Sequence, residues 1–232
     1  MRKIGFIGAY DKIDLMINVA KILTVTKKKV LIIDATILQK SRYIVPVINP
    51  TKMYVTEYED IDIAIGFSNL EEIKKYLGVP VEQELDYDLV LIDTDNIKGY
   101  IGFGLQDTER KYFVTSFDLY SLKKGLETLI GLQNMTNLTK IYFAKDMLKE
   151  DDDYLNYLSK EYKIIWEEDK IYFPIENGDL SAIYENQRVA RVGFRKLSIQ
   201  YKDGLAYIAE QILGNGSEGE IRKAIKTIEK GG

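Results

Sequence analysis

Residues Lys3 to Asp34 read as one strand–turn–helix–strand unit, and that unit restricts what the rest of the chain can build. Lys3-Ile4-Gly5-Phe6-Ile7 is a short apolar strand, Gly8-Ala9-Tyr10-Asp11-Lys12 a turn, and Ile13 to Leu23 a helical run. After the basic cluster Lys27-Lys28-Lys29 comes Val30-Leu31-Ile32-Ile33-Asp34, almost wholly apolar and closed by a carboxylate. A short loop from strand to helix, then a return to a neighbouring strand, is the βαβ unit of a parallel sheet. It predicts an α/β fold with a mostly parallel central sheet and helices on both faces. Such sheets hold ligands at the carboxyl ends of their strands, where both the turn and Asp34 lie.

Downstream, Tyr87-Asp88-Leu89-Val90-Leu91-Ile92-Asp93-Thr94 is a second buried strand ending on an acid. Lys111 to Ser116 and Lys140 to Ala144 read as further core strands, and Met53 to Tyr58 alternates like a half-exposed one. Asp62 to Phe67 reads as a short edge strand or a turn. The loop Gln39 to Lys52 holds Pro46 and Pro50, which argues against helix. Ser68 with Glu71 forms a capping box opening a helix to about Leu77, stopped by Gly78. Gly99-Tyr100-Ile101-Gly102-Phe103-Gly104 reads as a loop, and Asp118 opens a helix to about Leu132. The acidic run Glu150 to Asp153 heads a helix from Tyr154 to Tyr162, and reads as a solvated face or an acidic docking patch. Lys163 to Trp166 and Ile171 to Pro174 flank a turn at Glu167 to Lys170, and Leu180 to Asn186 is a short helix. Tyr201 to Leu213 is amphipathic, with residues 205, 208, 209, 212 and 213 on one face. The boundaries set one domain at 1–214 and a tail at 215–232, whose Glu218 to Lys230 forms a short amphipathic helix.

The turn, Asn18-Val19-Ala20 on the first helix and the Tyr87 to Thr94 strand together resemble the nucleotide-binding core of the MinD/ParA-type P-loop ATPases. Aligned on Asn18, Lys12 falls on that family's second loop lysine, which reaches the β and γ phosphates, and Leu15 on its leucine. Asp93 falls on the Walker B aspartate of the Mg²⁺ shell. If nucleotide binds, the resemblance implies that Gly8, Ala9, Lys12, Asp34 and Asp93 line its site. The departures are as clear. Ile7 replaces the signature lysine, Ala9 and Asp11 replace two loop glycines, and Ile13 and Asp14 replace two threonines. Thr36 stands at the first-switch aspartate, Asp95-Asn96 at the second-switch Pro-Gly, and Ala144-Lys145 at the adenine-reading asparagine. A phosphate loop works because glycines let successive N–H groups converge on phosphate at a helix amino end. Here Asp11 adds negative charge and Ile13 removes the Mg²⁺ hydroxyl. Lys12 then reads either as a phosphate contact or as a solvated lysine at a helix start, and Asp93 either as a Mg²⁺ ligand or as a strand end bonded to neighbouring backbone.

Composition narrows the chemistry. The 232-residue chain carries a formal charge of −4 and 46% hydrophobic residues, so it can bury a core and lacks the basic balance of a broad nucleic-acid footprint. It has no cysteine and no histidine, which removes thiolate nucleophiles, disulfides and His-based acid–base or metal chemistry. No secretory signal or membrane-length apolar run is evident, so the reading is cytoplasmic, peripheral at most to a membrane-bound machine. The tail offers few apolar groups for membrane insertion, and packing on the parent domain or a partner suits it better.

The resemblance thus implies a degenerate member with no catalytic residues, no metal ligands and no expected cofactor. It is similar to the CpaE/TadZ-type localisation proteins of pilus and secretion machines. The first expectation is a pseudo-ATPase scaffold acting through protein partners of a larger assembly, with a homodimer allowed by the family habit. The 17 tyrosines suit interaction surfaces or half-buried sheet positions. The alternatives are a weak ATP·Mg²⁺-dependent ATPase using Lys12 and Asp93, and a partition factor, which the acidic charge disfavours.

Overall fold

The computed structural model describes residues 1–48, 51–108, 110–146 and 148–231. Eight strands form one sheet among them: β1 (Arg2–Ile7), β2 (Val30–Asp34), β3 (Tyr54–Tyr58), β4 (Ile61–Ile65), β5 (Leu89–Thr94), β6 (Arg110–Thr115), β7 (Thr136–Ala144) and β8 (Ile164–Pro174). Their spatial order is β3-β4-β2-β5-β1-β6-β7-β8, and every pairing except β3 with β4 is parallel. The helices are α1 (Ile13–Val25), α2 (Ser41–Ile44), α3 (Leu70–Leu77), α4 (Ile97–Gly102), α5 (Leu119–Glu127), α6 (Lys149–Leu158), α7 (Asn177–Val189), α8 (Ile199–Leu213) and α9 (Glu218–Gly231).

Two cores follow from the two-residue period of a strand. Ile4, Phe6, Ile32 and Leu91 face one side, under α1, α8 and α9. Ile7, Leu31, Ile33, Val90 and Ile92 face the other, with Ile73 of α3, Tyr100 of α4, Leu122 of α5 and Leu155 of α6. Strands apolar on both faces are what a doubly covered parallel sheet requires. Each such side chain contributes about 1.5–3 kcal/mol on burial. The amphipathic face expected of the last two helices is used here, since Ile208, Ile212, Ile221, Ala224 and Ile228 all enter the first core.

Several elements differ from the sequence reading. Ile61–Ile65 is neither edge nor turn: it pairs with β2 on one side and β3 on the other. Glu59 and Asp60 join the β3–β4 hairpin in left-handed conformations (φ 55° and 65°), the geometry of a tight hairpin turn. Lys21 holds them through the Glu59 carbonyl at 3.0 Å and both carboxylates. Within Gln39 to Lys52, Ser41–Ile44 is helical after all, and Pro46 lies just past its end; Pro50 is outside the described residues. The cap of α3 is Asn69 rather than Ser68, its side chain accepting from the Glu72 N–H at 2.9 Å. Glu72 in turn accepts from the N–H of Ser68, the residue before the cap, so the helix opens one residue later than expected and without the reciprocal bond of a capping box. Gly78 ends that helix as read.

Glu167 to Lys170 is no turn, because β8 runs straight through it with a register irregularity opposite Leu138 and Lys140. The α5 helix stops at Glu127 rather than Leu132, and α7 extends the Leu180 to Asn186 helix at both ends. The acidic run lies inside α6, and Asp152 is buried rather than solvated. It accepts from Lys140 at 2.7 Å and Tyr142 at 2.6 Å, and pairs with Lys170. Among the described residues no helix is long and apolar enough to cross a membrane.

Candidate functional site

The carboxyl ends of β2, β5 and β1 lie side by side, and three loops leave the sheet there. The turn after β1 is forced close to β6. Gly8 has φ +136°, and a Cβ there would sit 2.2 Å from the Val114 carbonyl oxygen, so any other residue would be excluded by both strain and contact. The Gly8 N–H donates to the Thr94 carbonyl at 3.1 Å, fixing the turn against β5 before the chain enters α1.

Lys12 stands at the N-cap of α1 and bends back beneath its own turn. Its Nζ donates to the Gly8 carbonyl at 2.7 Å and lies 2.7 Å from Asp93 Oδ1. Both side chains are buried, 2% and 4% exposed, so the solvated-lysine alternative is excluded. Asp93 likewise does not merely end a strand on neighbouring backbone: its carboxylate faces the ammonium. Burial pushes the Asp93 carboxyl up to about 7; Lys12 opposes the rise, and Asp34, its register partner on β2, adds to it.

Asp34 is committed locally. One oxygen accepts from the Thr36 N–H (3.1 Å) and hydroxyl (2.5 Å), the other from the Ser41 N–H (3.1 Å) and hydroxyl. This carboxylate at the amino end of α2 is what turns the proline-bearing loop helical. Asp95 accepts from the Ile37 N–H at 2.9 Å, and Asn96 donates to the Ala35 carbonyl at 3.0 Å. Asn96 also caps α4 by accepting from the Gly99 N–H at 2.9 Å, so the glycine-rich stretch is helix rather than loop. Lys40 reaches back to Asp11 at 2.6 Å across the mouth.

Gly8, Ala9, Lys12, Asp34 and Asp93, singled out in the sequence, therefore line one cleft of about 320 Å³, with Thr36, Lys40, Asp95 and Lys124 around its rim. Its residues do not fit a magnesium nucleotide. The ammonium that would meet phosphate is held by Asp93, Asp11 brings a further carboxylate to the loop, and Ile13 offers no oxygen. Among the described residues no cluster of acidic, histidine or cysteine side chains is arranged to hold a metal ion.

Sequence reasoning passed over two neighbours of this cleft. Tyr10 stacks on Phe143 with ring centroids 4.9 Å apart and planes 18° from parallel, a contact between turn and β7 that no local pattern announces. Asp14, on α1, accepts from Gln187 of α7 at 2.9 and 3.0 Å. Burial pushes its carboxyl up to about 6, with the Gln187 bond opposing and Asp11 adding to the rise.

No protein-family model matches the sequence, and no curated protein matches it. The fold does find likenesses. A plasmid partition protein of Borrelia burgdorferi B31 bound to AMPPNP superposes with TM-score 0.58 at 13% identity, covering 91% of this chain and 99% of that one. A ParA family ATPase from Chlorobium tepidum TLS gives 0.58 at 13% identity over 90% and 97%. The MinC:MinD cell division complex of Aquifex aeolicus gives 0.54 at 13% identity over 93% and 97%. At these identities the likeness is one of architecture: the chain has the α/β fold of the ParA/MinD P-loop ATPases.

Proposed function

We propose that this chain is a non-catalytic counterpart of the ParA/MinD-type ATPases, a scaffold or localisation subunit working through protein contacts in a larger assembly such as a secretion, pilus or conjugation machine. The observation that carries the reading is the buried Lys12–Asp93 pair, which neutralises inside the fold the charge a phosphate would need. Exposed Ile37, Leu38 and Tyr120 around the cleft supply apolar surface for a protein partner or a second copy. Cytoplasmic placement, peripheral at most to a membrane, belongs to the same reading. The partition alternative is weaker on the −4 charge.

The test is calorimetric titration of ATP and ADP, with Mg²⁺, into the protein and into Lys12→Ala. The double variant Lys12→Ala/Asp93→Asn serves as a control that leaves no buried carboxylate unpaired. No heat with any of the three supports the scaffold. Binding by the native protein that is lost in both variants overturns it in favour of an unconventional ATP-binding protein that uses Lys12 and Asp93, with hydrolysis as the next assay.

A further inference from the structure

β8 borders the sheet beyond β7, at the opposite end of the strand order from β3, and no strand lies on its outer side. The hydrogen bonds at its two ends fix which of its backbone groups face outward. The Thr136 N–H donates to the Lys163 carbonyl at 3.0 Å, and the Ile175 N–H donates to the Ala144 carbonyl at 3.0 Å. Backbone direction alternates along a strand, so the odd-numbered residues between them face β7 and the even-numbered ones face away. The irregularity keeps this order, because β8 runs from Trp166 to Lys170 while β7 runs from Leu138 to Lys140, an even step on each. The outward row is thus Trp166, Glu168, Lys170 and Tyr172. It closes on Pro174, which has no N–H to donate and loses no ladder bond there. No described residue accepts a hydrogen bond from the outward N–H groups of Trp166, Lys170 or Tyr172.

The centre of this rim is acidic. Glu167, Glu168 and Asp169 are consecutive and exposed. Asp169 accepts from Tyr207 at 2.9 Å and Gln211 at 3.3 Å, both neutral groups of α8. No lysine or arginine among the described residues forms an ion pair with any of the three, and Lys170, next in the chain, is turned to Asp152. Three carboxylates this close repel one another, and a cation brought alongside relieves all three. Ile165, 47% exposed, adds an apolar side chain to the same strand.

We propose that the β8 rim takes an extended, lysine- or arginine-bearing segment of a partner protein as an added strand, its backbone bonding to the outward row and its cations meeting Glu167, Glu168 and Asp169. Backbone pairing supplies the affinity of such an added strand, and its side chains the choice of partner. An acidic segment is refused, and a neutral one lacks the attraction that opposite charges lend across a pair of strands. The rim is separate from the cleft that holds Lys12 and Asp93. Binding of ATP in that cleft, which would overturn the scaffold reading, leaves this inference standing.

The probes are two blocked synthetic peptides, one alternating lysine with valine and the other glutamate with valine. Trp166 is the chain's single tryptophan and stands on β8, so its fluorescence reads binding at the rim. The native protein is expected to bind the lysine peptide. Glu167→Lys/Glu168→Lys/Asp169→Lys should weaken that binding by about tenfold or more, and should take the glutamate peptide instead. If this variant lacks a native circular dichroism spectrum, Glu167→Gln/Glu168→Gln/Asp169→Asn carries the test, with the same weakening and no gain for the glutamate peptide. Amide hydrogen exchange, followed by nuclear magnetic resonance, separates strand pairing from loose attraction of charges. In the lysine-peptide complex the amides of Trp166, Lys170 and Tyr172 should exchange more slowly than in the free protein. No binding of the lysine peptide, binding indifferent to the three acids, or binding that leaves those amides unprotected overturns the proposal.

Discussion

Lys140 on β7 and Asp152 on α6 meet at 2.7 Å with both side chains buried, 2% and 6% exposed. The Lys140 ammonium also donates to Asn156 at 2.6 Å and lies 4.9 Å from the centre of the Trp166 ring, while Tyr142 and Lys170 complete the surroundings of the carboxylate. A buried charge with this many partners fixes α6 and β8 against β7 in one arrangement. Removing one partner strands the others.

Asp152→Ala should therefore destabilise the fold by about 3–5 kcal/mol, the usual cost of leaving a buried charge unpaired. Urea denaturation at pH 7 measures it. The Asp152 carboxyl is held well below the ordinary carboxylate range by hydrogen bonds from Lys140, Lys170 and Tyr142, which together outweigh its burial. Its contribution is then present above the unfolded-state value and lost as pH falls below it. The native protein should lose stability on acidification faster than Asp152→Ala does.

Lys12→Ala leaves the Asp93 carboxylate without the ammonium that faces it, and about 3–5 kcal/mol should be lost at pH 8. Because Asp93 already titrates near 7 in the folded protein, the loss should shrink as the medium is acidified and the carboxyl takes a proton. Asp93→Asn in the same chain should restore most of the stability at pH 8. Equal losses at pH 5 and pH 8 would contradict the pairing.

Asp14 runs in the opposite sense to Asp152. Its carboxyl is raised to about 6, so the folded state favours its proton; that contribution is full below the unfolded value and disappears as pH rises through about 6. Asp14→Asn should gain stability relative to the native protein above pH 6, by at most about 3 kcal/mol from a shift of some two units. Thermal melts at pH 4 and pH 8 read the difference, which should be small at the lower pH and full at the higher.

Gly8→Ala tests the turn itself. The left-handed backbone and the Val114 carbonyl 2.2 Å from the new Cβ leave it no place, and backbone, unlike a side chain, cannot step aside without moving β6. A loss of more than about 3 kcal/mol, or failure to fold, is expected from circular dichroism melts.

Any self-association should be indifferent to nucleotide. If apolar rim contacts rather than a shared ligand join two copies, sedimentation velocity with and without ATP·Mg²⁺ should give the same distribution. A shift to larger species with ATP would show that the cleft still governs assembly.

The parts of this molecule legible in its sequence are those where one local pattern suffices. β1, α1, β2 and β5 are strongly apolar or cleanly helical, and they appear within a residue or two of where the sequence places them. The glycine-rich stretch at 99–104 misleads because its glycines serve contact rather than flexibility. A Cβ on Gly102 would stand 2.2 Å from the Ser68 carbonyl, and the Asn96 cap makes the segment helical. Glu167 to Lys170 misleads because an edge strand tolerates charge that reads as a turn. At the site, strand order alone places the turn and Asp34, and the family resemblance adds Lys12 and Asp93 to the same cleft. The Lys12–Asp93 closure and the Tyr10–Phe143 stack are not legible, since each joins segments distant in the chain and depends on where a side chain bends.

That edge strand has a consequence for assembly. β8 stands at the border of the sheet for eleven residues, leaving one row of its amides and carbonyls without a neighbouring strand in the sheet. A row of that kind, broken only at the irregularity opposite Leu138 and Lys140, invites another chain to extend the sheet. Glu167, Glu168 and Asp169 sit exposed at its centre, and two copies laid side by side in antiparallel fashion would bring these acids together. The repulsion discourages growth of copies into a continuous ribbon along this rim.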